Sequence, residues 1–162
     1  IVEGSALVTV PHFKNDTEIV MSAVLQNGTT LSFASDELKN DKEIVMSAVM
    51  QHGGALQYAS DELRNDEHVV MGAVKKTNFS FLWVSESLRN NVDFILECIG
   101  EVGARLLGAE YLGESAVPMK WKDDFEFMVR AVKLNRECLE YASDRLKCVP
   151  EFDKVTNLPF IQ

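Results

Sequence analysis

Apolar and polar positions recur along this chain with a period of 25 residues. From Asp16 to Asn40 the sequence reads DTEIVMSAVLQNGTTLSFASDELKN, and from Asp41 to Asn65 it reads DKEIVMSAVMQHGGALQYASDELRN. Asp66 to Asn90 follows as DEHVVMGAVKKTNFSFLWVSESLRN, and a later copy, DFEFMVRAVKLNRECLEYASDRLKC, runs from Asp124 to Cys148. Self-similarity at a fixed period marks stacked copies of one supersecondary unit, each of which buries its apolar face only against its neighbours.

Within a unit the apolar spacing changes halfway. In the second copy, Ile44, Val45, Met46, Ala48, Val49 and Met50 form a wide stripe, which predicts a buried helix over about 41–52. Asn40 or Asp41 is the expected N-cap, with Glu43 completing a capping box. The pairs Asn15 with Glu18 and Asn90 with Asp93 repeat that pattern. The stop at Gly53-Gly54, matched by Asn27-Gly28, Thr77-Asn78 and Val102-Gly103, suits a left-handed C-cap. Ala55, Leu56, Tyr58, Ala59 and Leu63 then predict a shorter second helix, with Ser60-Asp61 as the place where it would break and re-cap. The expected fold class is therefore all-α, a short α-solenoid of about five 25-residue helix-turn-helix repeats.

Each slot holds across the copies. Ile19, Ile44, Val69, Phe94 and Phe127 share one; Val24, Val49, Val74, Ile99 and Val132 share another; Leu31, Leu56, Phe81, Leu106 and Leu139 a third. Phe33, Tyr58, Trp83 and Tyr141 make an aromatic column, interrupted by Gly108. Uniformly apolar slots predict core. The expected organisation is a partial repeat over 1–15 carrying a second helix only, and four tandem repeats over 16–112. A loop over 113–123, a fifth repeat over 124–148 and a cap or tail over 149–162 complete it.

The shared phrase D-x-E-[IV]-V-x-x-A-V-x-x-[NH]-G-x-x-L-x-[FY]-A-S-D-E-L-[KR]-N resembles the repeat of the domain of unknown function 4116 family. The likeness is close over 16–90 and 124–148 and looser over 91–112. It implies a tandem helical array, and it brings no catalytic residues with it.

Composition narrows the chemistry. The net charge is −9, from 25 acids against 16 bases, which argues against a nucleic-acid partner. No apolar run reaches the roughly 18 residues of a membrane span, so no direct membrane insertion is expected. Cys98 stands in the slot of Ala23, Ala48, Ala73 and Ala131, a small buried filler. Cys138 and Cys148 lie ten residues apart along one expected helix, too far for a disulfide. Free thiols favour a reducing, intracellular compartment. A start at Ile1 is that of a processed chain or a fragment.

Candidate chemistry meets a structural explanation in each case. His12, His52 and His68 occupy different slots, without the i, i+4 pairing of a metal-binding helix face. Ser35, Ser60, Ser85 and Ser143 recur at one slot with no histidine beside them, as capping hydroxyls do. Acids at Glu18, Glu43, Asp93 and Glu126 recur where they interact favourably with a helix N-terminus. No Gly-rich phosphate loop follows a strand. The expectation is no enzyme, no cofactor and no metal.

What packing does not dictate is a better guide to partners. Phe79 falls in an inter-helix turn beside Lys75 and Lys76, and Lys120-Trp121-Lys122 is a basic-aromatic point in the expected loop. These six are the candidate partner-binding residues. Trp121 has a second reading, as a plug folded over the gap in the fourth repeat. The function expected is protein–protein interaction or scaffolding by a non-catalytic repeat protein. The alternatives are a subunit embedded permanently in a large complex, or a regulatory fragment of a larger effector-like protein.

Overall fold

A computed structural model describes residues 11–111 and 114–156. The protein is all-α, with the repeated helical units of an α-solenoid. It divides into two compact units, Ile1–Ser85 and Glu86–Gln162. The expected partial repeat and tail lie partly outside the described residues.

The first unit shows what one repeat is. A ten-residue helix, Thr17–Gln26, Lys42–Gln51 or Glu67–Lys76, starts each copy. Its N-cap is the aspartate at Asp16, Asp41 or Asp66. That residue has extended backbone angles, and its carboxylate accepts the N–H of Ile19, Ile44 or Val69 at 3.0–3.1 Å. Such a cap contributes about 1 kcal/mol. The Asn40–Glu43 capping box is thus not formed, because Asp41 takes the cap and Asn40 is left for another bond.

The second limb is not an α-helix. Gly28–Phe33, Gly53–Tyr58 and Asn78–Trp83 are 3-10 helices of six residues. Gly28, Leu31 and Ala34 are all buried, as are Gly53, Leu56 and Ala59. That spacing of three is the turn of a 3-10 helix, whereas an α-helix would rotate these side chains off the core. The chain then extends at Ala34-Ser35, and Ser35 caps a single α-turn, Asp36–Lys39. The break expected at Ser60-Asp61 is real, and there the last turn is a 3-10 helix, Leu63–Asn65.

Four of the five long helices end without left-handed caps, and only Val92–Val102 ends on a residue with positive φ, Gly103. Asn27, His52, Thr77 and Asn135 are extended, with φ between −147° and −155°. Among the described glycines only Gly103 has positive φ, at 79°. Gly28 and Gly53 serve close approach instead. A Cβ on Gly28 would collide with the carbonyl oxygen of Ala48, and one on Gly53 would sit 2.6 Å from that of Ala73. Each repeat therefore rests its turn directly on the backbone of the next long helix.

A polar clasp joins successive repeats. Ser60 N–H donates to Lys39 O (3.0 Å), its hydroxyl donates to Asn40 Oδ1, and Ser60 Oγ accepts Leu63 N–H at 3.2 Å. Ser85 repeats this with Arg64 O at 3.0 Å and Asn65 Oδ1 at 2.5 Å. The recurrent serines and asparagines are thereby explained by the stack itself. In the core, Val20, Val24, Leu31, Val45, Val49, Leu56, Val70 and Phe81 are all fully buried.

The second unit is less regular. Its first helix, Val92–Val102, is one residue longer and ends at Gly103; the 3-10 limb shrinks to Ala104–Leu106. Glu110 then pairs with Ser115 and Tyr111 with Glu114 in a small antiparallel hairpin. The hairpin leaves and rejoins the repeat at one point, since Ala116 N–H donates to Ala109 O at 2.8 Å. Beyond it lies a helical turn, Met119–Lys122, within the stretch expected as loop. Lys122 O accepts Ser143 N–H at 2.8 Å and Asp123 Oδ1 accepts the Ser143 hydroxyl at 2.5 Å, the same clasp as at Lys39-Asn40. Met119–Lys122 is therefore the closing turn of the fourth repeat. The next long helix, Phe125–Leu134, its 3-10 limb Arg136–Tyr141, the turn Asp144–Lys147 and a last helix, Pro150–Thr156, complete the unit.

Candidate functional site

The six sequence candidates fall in two groups, three in each unit. Lys75 and Lys76 end a long helix and are exposed; Phe79, on the following 3-10 turn, is 42% exposed. Lys120, Trp121 and Lys122 are bound into the packing. Trp121 takes the slot that Leu38, Leu63, Leu88 and Leu146 fill in other repeats. It is half-buried, its indole N–H donates to Arg89 O at 3.4 Å, and its ring lies 5.6 Å from that of Phe127. Lys120 Nζ sits 4.7 Å over the indole, and Lys122 is buried with Nζ donating to Ser115 Oγ at 3.1 Å. Half-burial and the ring contact with Phe127 fit the plug reading of Trp121. Lys122 is correspondingly a buried tie to the hairpin rather than an exposed contact.

The outward face of the first unit carries a feature absent from the sequence candidates. Glu18, Met21, Ser22 and Leu25 have i, i+3, i+4, i+7 spacing and so share one helix face. Glu43, Met46, Ser47 and Met50 follow 25 residues later, then His68, Met71, Gly72 and Lys75. Met21, Met46 and Met71 are half-buried, while Leu25 is 54% and Met50 47% exposed. Met46 lies toward the neighbouring repeat, where a Cβ on Gly72 would be 3.4 Å from its Cε. Between the first two long helices this face forms a groove of about 660 Å³, lined by Met21, Leu25 and Ile44 with Glu18, Asp41 and Glu43.

Sequence periodicity assigned Met46 and Met50 to the buried stripe, and here it erred. The buried side is carried by Ile44, Val45, Ala48 and Val49. A signal was present: the slot of Leu25 and Met50 becomes Lys75 and Lys133, which a core slot does not tolerate. The aromatic column is likewise not core. Phe33 is 38% exposed, and Tyr58, Trp83 and Tyr141 are half-buried. Gly108 interrupts that column where the Tyr141 ring takes the place of a side chain; a Cβ there would meet Tyr141 Cε1 at 2.5 Å.

The recurrent polar residues are engaged in the fold's own bonds. Asp123 accepts Arg145 Nε through both oxygens, at 2.9 and 3.0 Å, and these bonds with that from Ser143 hold its carboxyl below the usual carboxylate range. Lys42 Nζ lies 2.6 Å from Asp66 Oδ2. Burial alone would raise Asp66, but the hydrogen bond from Lys42 outweighs it and the net shift is downward. Cys98 and Cys138 are buried free thiols and Cys148 is exposed. Burial pushes the Cys138 thiol up to about 11. Cys138 lies on a 3-10 limb and Cys148 closes the turn Asp144–Lys147, so the single helix expected to join them is broken. Among the described residues no cluster of His, Cys, Asp and Glu has the arrangement of a metal site, and no helix is long and apolar enough to cross a membrane.

No curated protein and no solved structure matches the chain. The profile of the domain of unknown function DUF4116 matches residues 3–39, 16–64, 41–89 and 116–147. The two central matches are offset by one 25-residue repeat, so the profile steps along the array unit by unit. Its matches leave out 90–115, where the fourth repeat departs from the pattern and the hairpin is inserted. These tandem matches cover well over half of the sequence, and the chain belongs to the DUF4116 family.

Proposed function

We propose that this chain is a non-catalytic helical-repeat module that holds a protein partner on the outward face of Thr17–Gln26 and Lys42–Gln51. One observation carries the reading. Leu25 and Met50, 54% and 47% exposed, keep large apolar side chains in water at the same position of successive repeats, flanked by the half-buried Met21 and Met46. Isolated exposed apolar residues are ordinary, but an aligned row of them marks an interaction surface. Methionine suits such a surface, because its unbranched thioether adapts to the shape laid against it. Catalysis is disfavoured by the same repetition: the aspartate, serine and asparagine columns are consumed by caps and clasps.

The test is photo-crosslinking. A benzophenone side chain at position 50 is expected to capture a protein that mass spectrometry identifies and that re-forms the adduct when purified. The same group at Lys133, the equivalent position in the second unit, serves as control. Equal capture at both positions, or no adduct at position 50, contradicts the reading.

A permanently embedded subunit is the second reading, favoured by Met119, Leu134 and Phe125 of the second unit, which are 63%, 56% and 40% exposed. An isolated chain that stays monomeric at high concentration argues against it.

A further inference from the structure

We infer that the groove between Thr17–Gln26 and Lys42–Gln51 takes a cationic amphipathic helix of a partner protein, an assignment that rests on the interaction face proposed above and names its occupant. Its apolar lining comes from Met21, Leu25 and Ile44 and its charged lining is wholly acidic, from Glu18, Asp41 and Glu43, with neutral polar side chains of Thr17–Gln26 between them. No lysine or arginine lines it among the described residues. Lys42, the base nearest in sequence, is turned to Asp66 of the next repeat at 2.6 Å. Asp41 spends one oxygen on the N–H groups of Glu43 and Ile44, at 2.9 and 3.1 Å. Glu18 and Glu43 are exposed and carry the remaining negative charge. An apolar strip edged by carboxylates complements a helix with leucine-like residues on one side and lysine or arginine beside them.

The walls favour a helix over a strand. Both are α-helices whose N–H and C=O groups bond internally, so an added strand would find no edge to pair with. A helix arrives with its own backbone satisfied and needs only side-chain contact. The pattern also has an end. Along the array the acid column runs Glu18, Glu43, His68 and the apolar column Leu25, Met50, Lys75, with Lys76 beside it. Both columns lose their character at the third repeat, and Lys75 and Lys76 set like charge against a basic ligand there. The two lysines thus mark the limit of the docking surface.

The experiment uses the full chain and two labelled peptides of about 18 residues, each with leucine at i, i+3, i+4, i+7 spacing. One carries lysine at the other positions and the second carries glutamate. Fluorescence anisotropy is expected to show saturable binding of the lysine peptide and none of the glutamate peptide, with the bound peptide gaining helical circular dichroism. E18Q/E43Q is expected to weaken binding about 3- to 10-fold. E97Q/E151Q, which removes two acids from the second unit, leaves it unchanged, and L25S/M50S abolishes it. Each variant's thermal midpoint is measured alongside, so that misfolding is not scored as lost affinity.

Equal weakening by E97Q/E151Q and E18Q/E43Q means diffuse attraction to an acidic protein and overturns the inference, as does a bound peptide that stays non-helical. Equal binding of both peptides, lost in L25S/M50S, overturns the cationic occupant while leaving the apolar face as an interaction surface. Binding untouched by L25S/M50S overturns both.

Discussion

The second repeat and the fourth solve the same packing problem with different residues. In residues 41–65 the turn glycines let the backbone of the next helix approach, Leu63 closes the core, and Ser60 clasps Asn40. In the fourth repeat Pro118 stands where the serine was, so Asn90 turns its amide to Glu86 O at 2.9 Å. Trp121 replaces the leucine, and a hairpin at Glu110–Tyr111 and Glu114–Ser115 rejoins the chain through Ala116 to Ala109. The regular repeat keeps its large spare side chains, Met46 and Met50, on the outside, whereas the irregular one folds its spare aromatic inward. Regularity leaves a surface free for others; irregularity consumes it.

The largest effect is expected at the close backbone contact. Gly53→Val forces a Cβ to within 2.6 Å of Ala73 O and 2.8 Å of Ser80 Oγ. Neither neighbour is the loose end of a long side chain, so about 3 kcal/mol or more is lost. Gly100→Ala, in the helix Val92–Val102 with nothing within 4 Å, gains up to about 1 kcal/mol. Urea unfolding of both variants checks the contrast.

Next comes the plug. Trp121→Ala removes a half-buried ring packed on Phe127 and is expected to cost about 2–4 kcal/mol, while Trp121→Leu, the residue of the other repeats, costs about 1 kcal/mol. Equal losses would show that the leucine slot is not what Trp121 occupies. The tryptophans make the two units separately visible, since Trp83 lies in the first and Trp121 in the second.

Ser80 gives a smaller effect of opposite sign. Its hydroxyl is buried without a hydrogen-bond partner, whereas Thr30, in the same slot, donates to Asn27 O at 2.7 Å. Ser80→Ala, the residue found at Ala55, is expected to stabilise by about 1 kcal/mol. A measured loss would mean that the hydroxyl is bonded in solution.

The acid limb is subtler still. Because the Asp123 carboxyl is held below its ordinary value of 3.8, its contribution is present at neutral pH and lost as pH falls through the folded value. Asp123→Asn, which restores the asparagine of the regular repeats, is expected to flatten the fall of Trp121 fluorescence below about pH 4 in a Trp83→Phe background. An unchanged acid transition would place the sensitivity elsewhere.

The sequence made the repeat legible because one slot must satisfy the same neighbours in every copy; Val24, Val49 and Val74 are each at most 1% exposed. The 3-10 limb was harder to see. Gly28, Leu31 and Ala34 differ from an α-helical stripe by only a fraction of a residue per turn, and the distinction shows in the spacing of three. The outward row was hidden for another reason: Met is apolar enough to read as core, and only its exchange for Lys75 and Lys133 betrays the exposed side. Trp121 was misplaced among loop residues because the hairpin insertion shifts the fourth repeat out of the 25-residue frame. Once Asp123 is aligned with Asn40, the turn before it falls into place.

The most direct test pairs two variants and reads two quantities, the thermal midpoint and the yield of the position-50 crosslink. Leu25→Ser with Ser47→Arg is expected to abolish the crosslink while leaving the midpoint within about 2 °C, since Leu25 is exposed and the half-buried Ser47 lies on the same helix face as Met50. Trp121→Ala is expected to lower the midpoint by about 6–12 °C and, below that midpoint, to leave the crosslink intact. The reverse outcome, a crosslink lost in Trp121→Ala with its midpoint unchanged and retained in Leu25→Ser/Ser47→Arg, would make the fourth repeat the anchor and contradict the account.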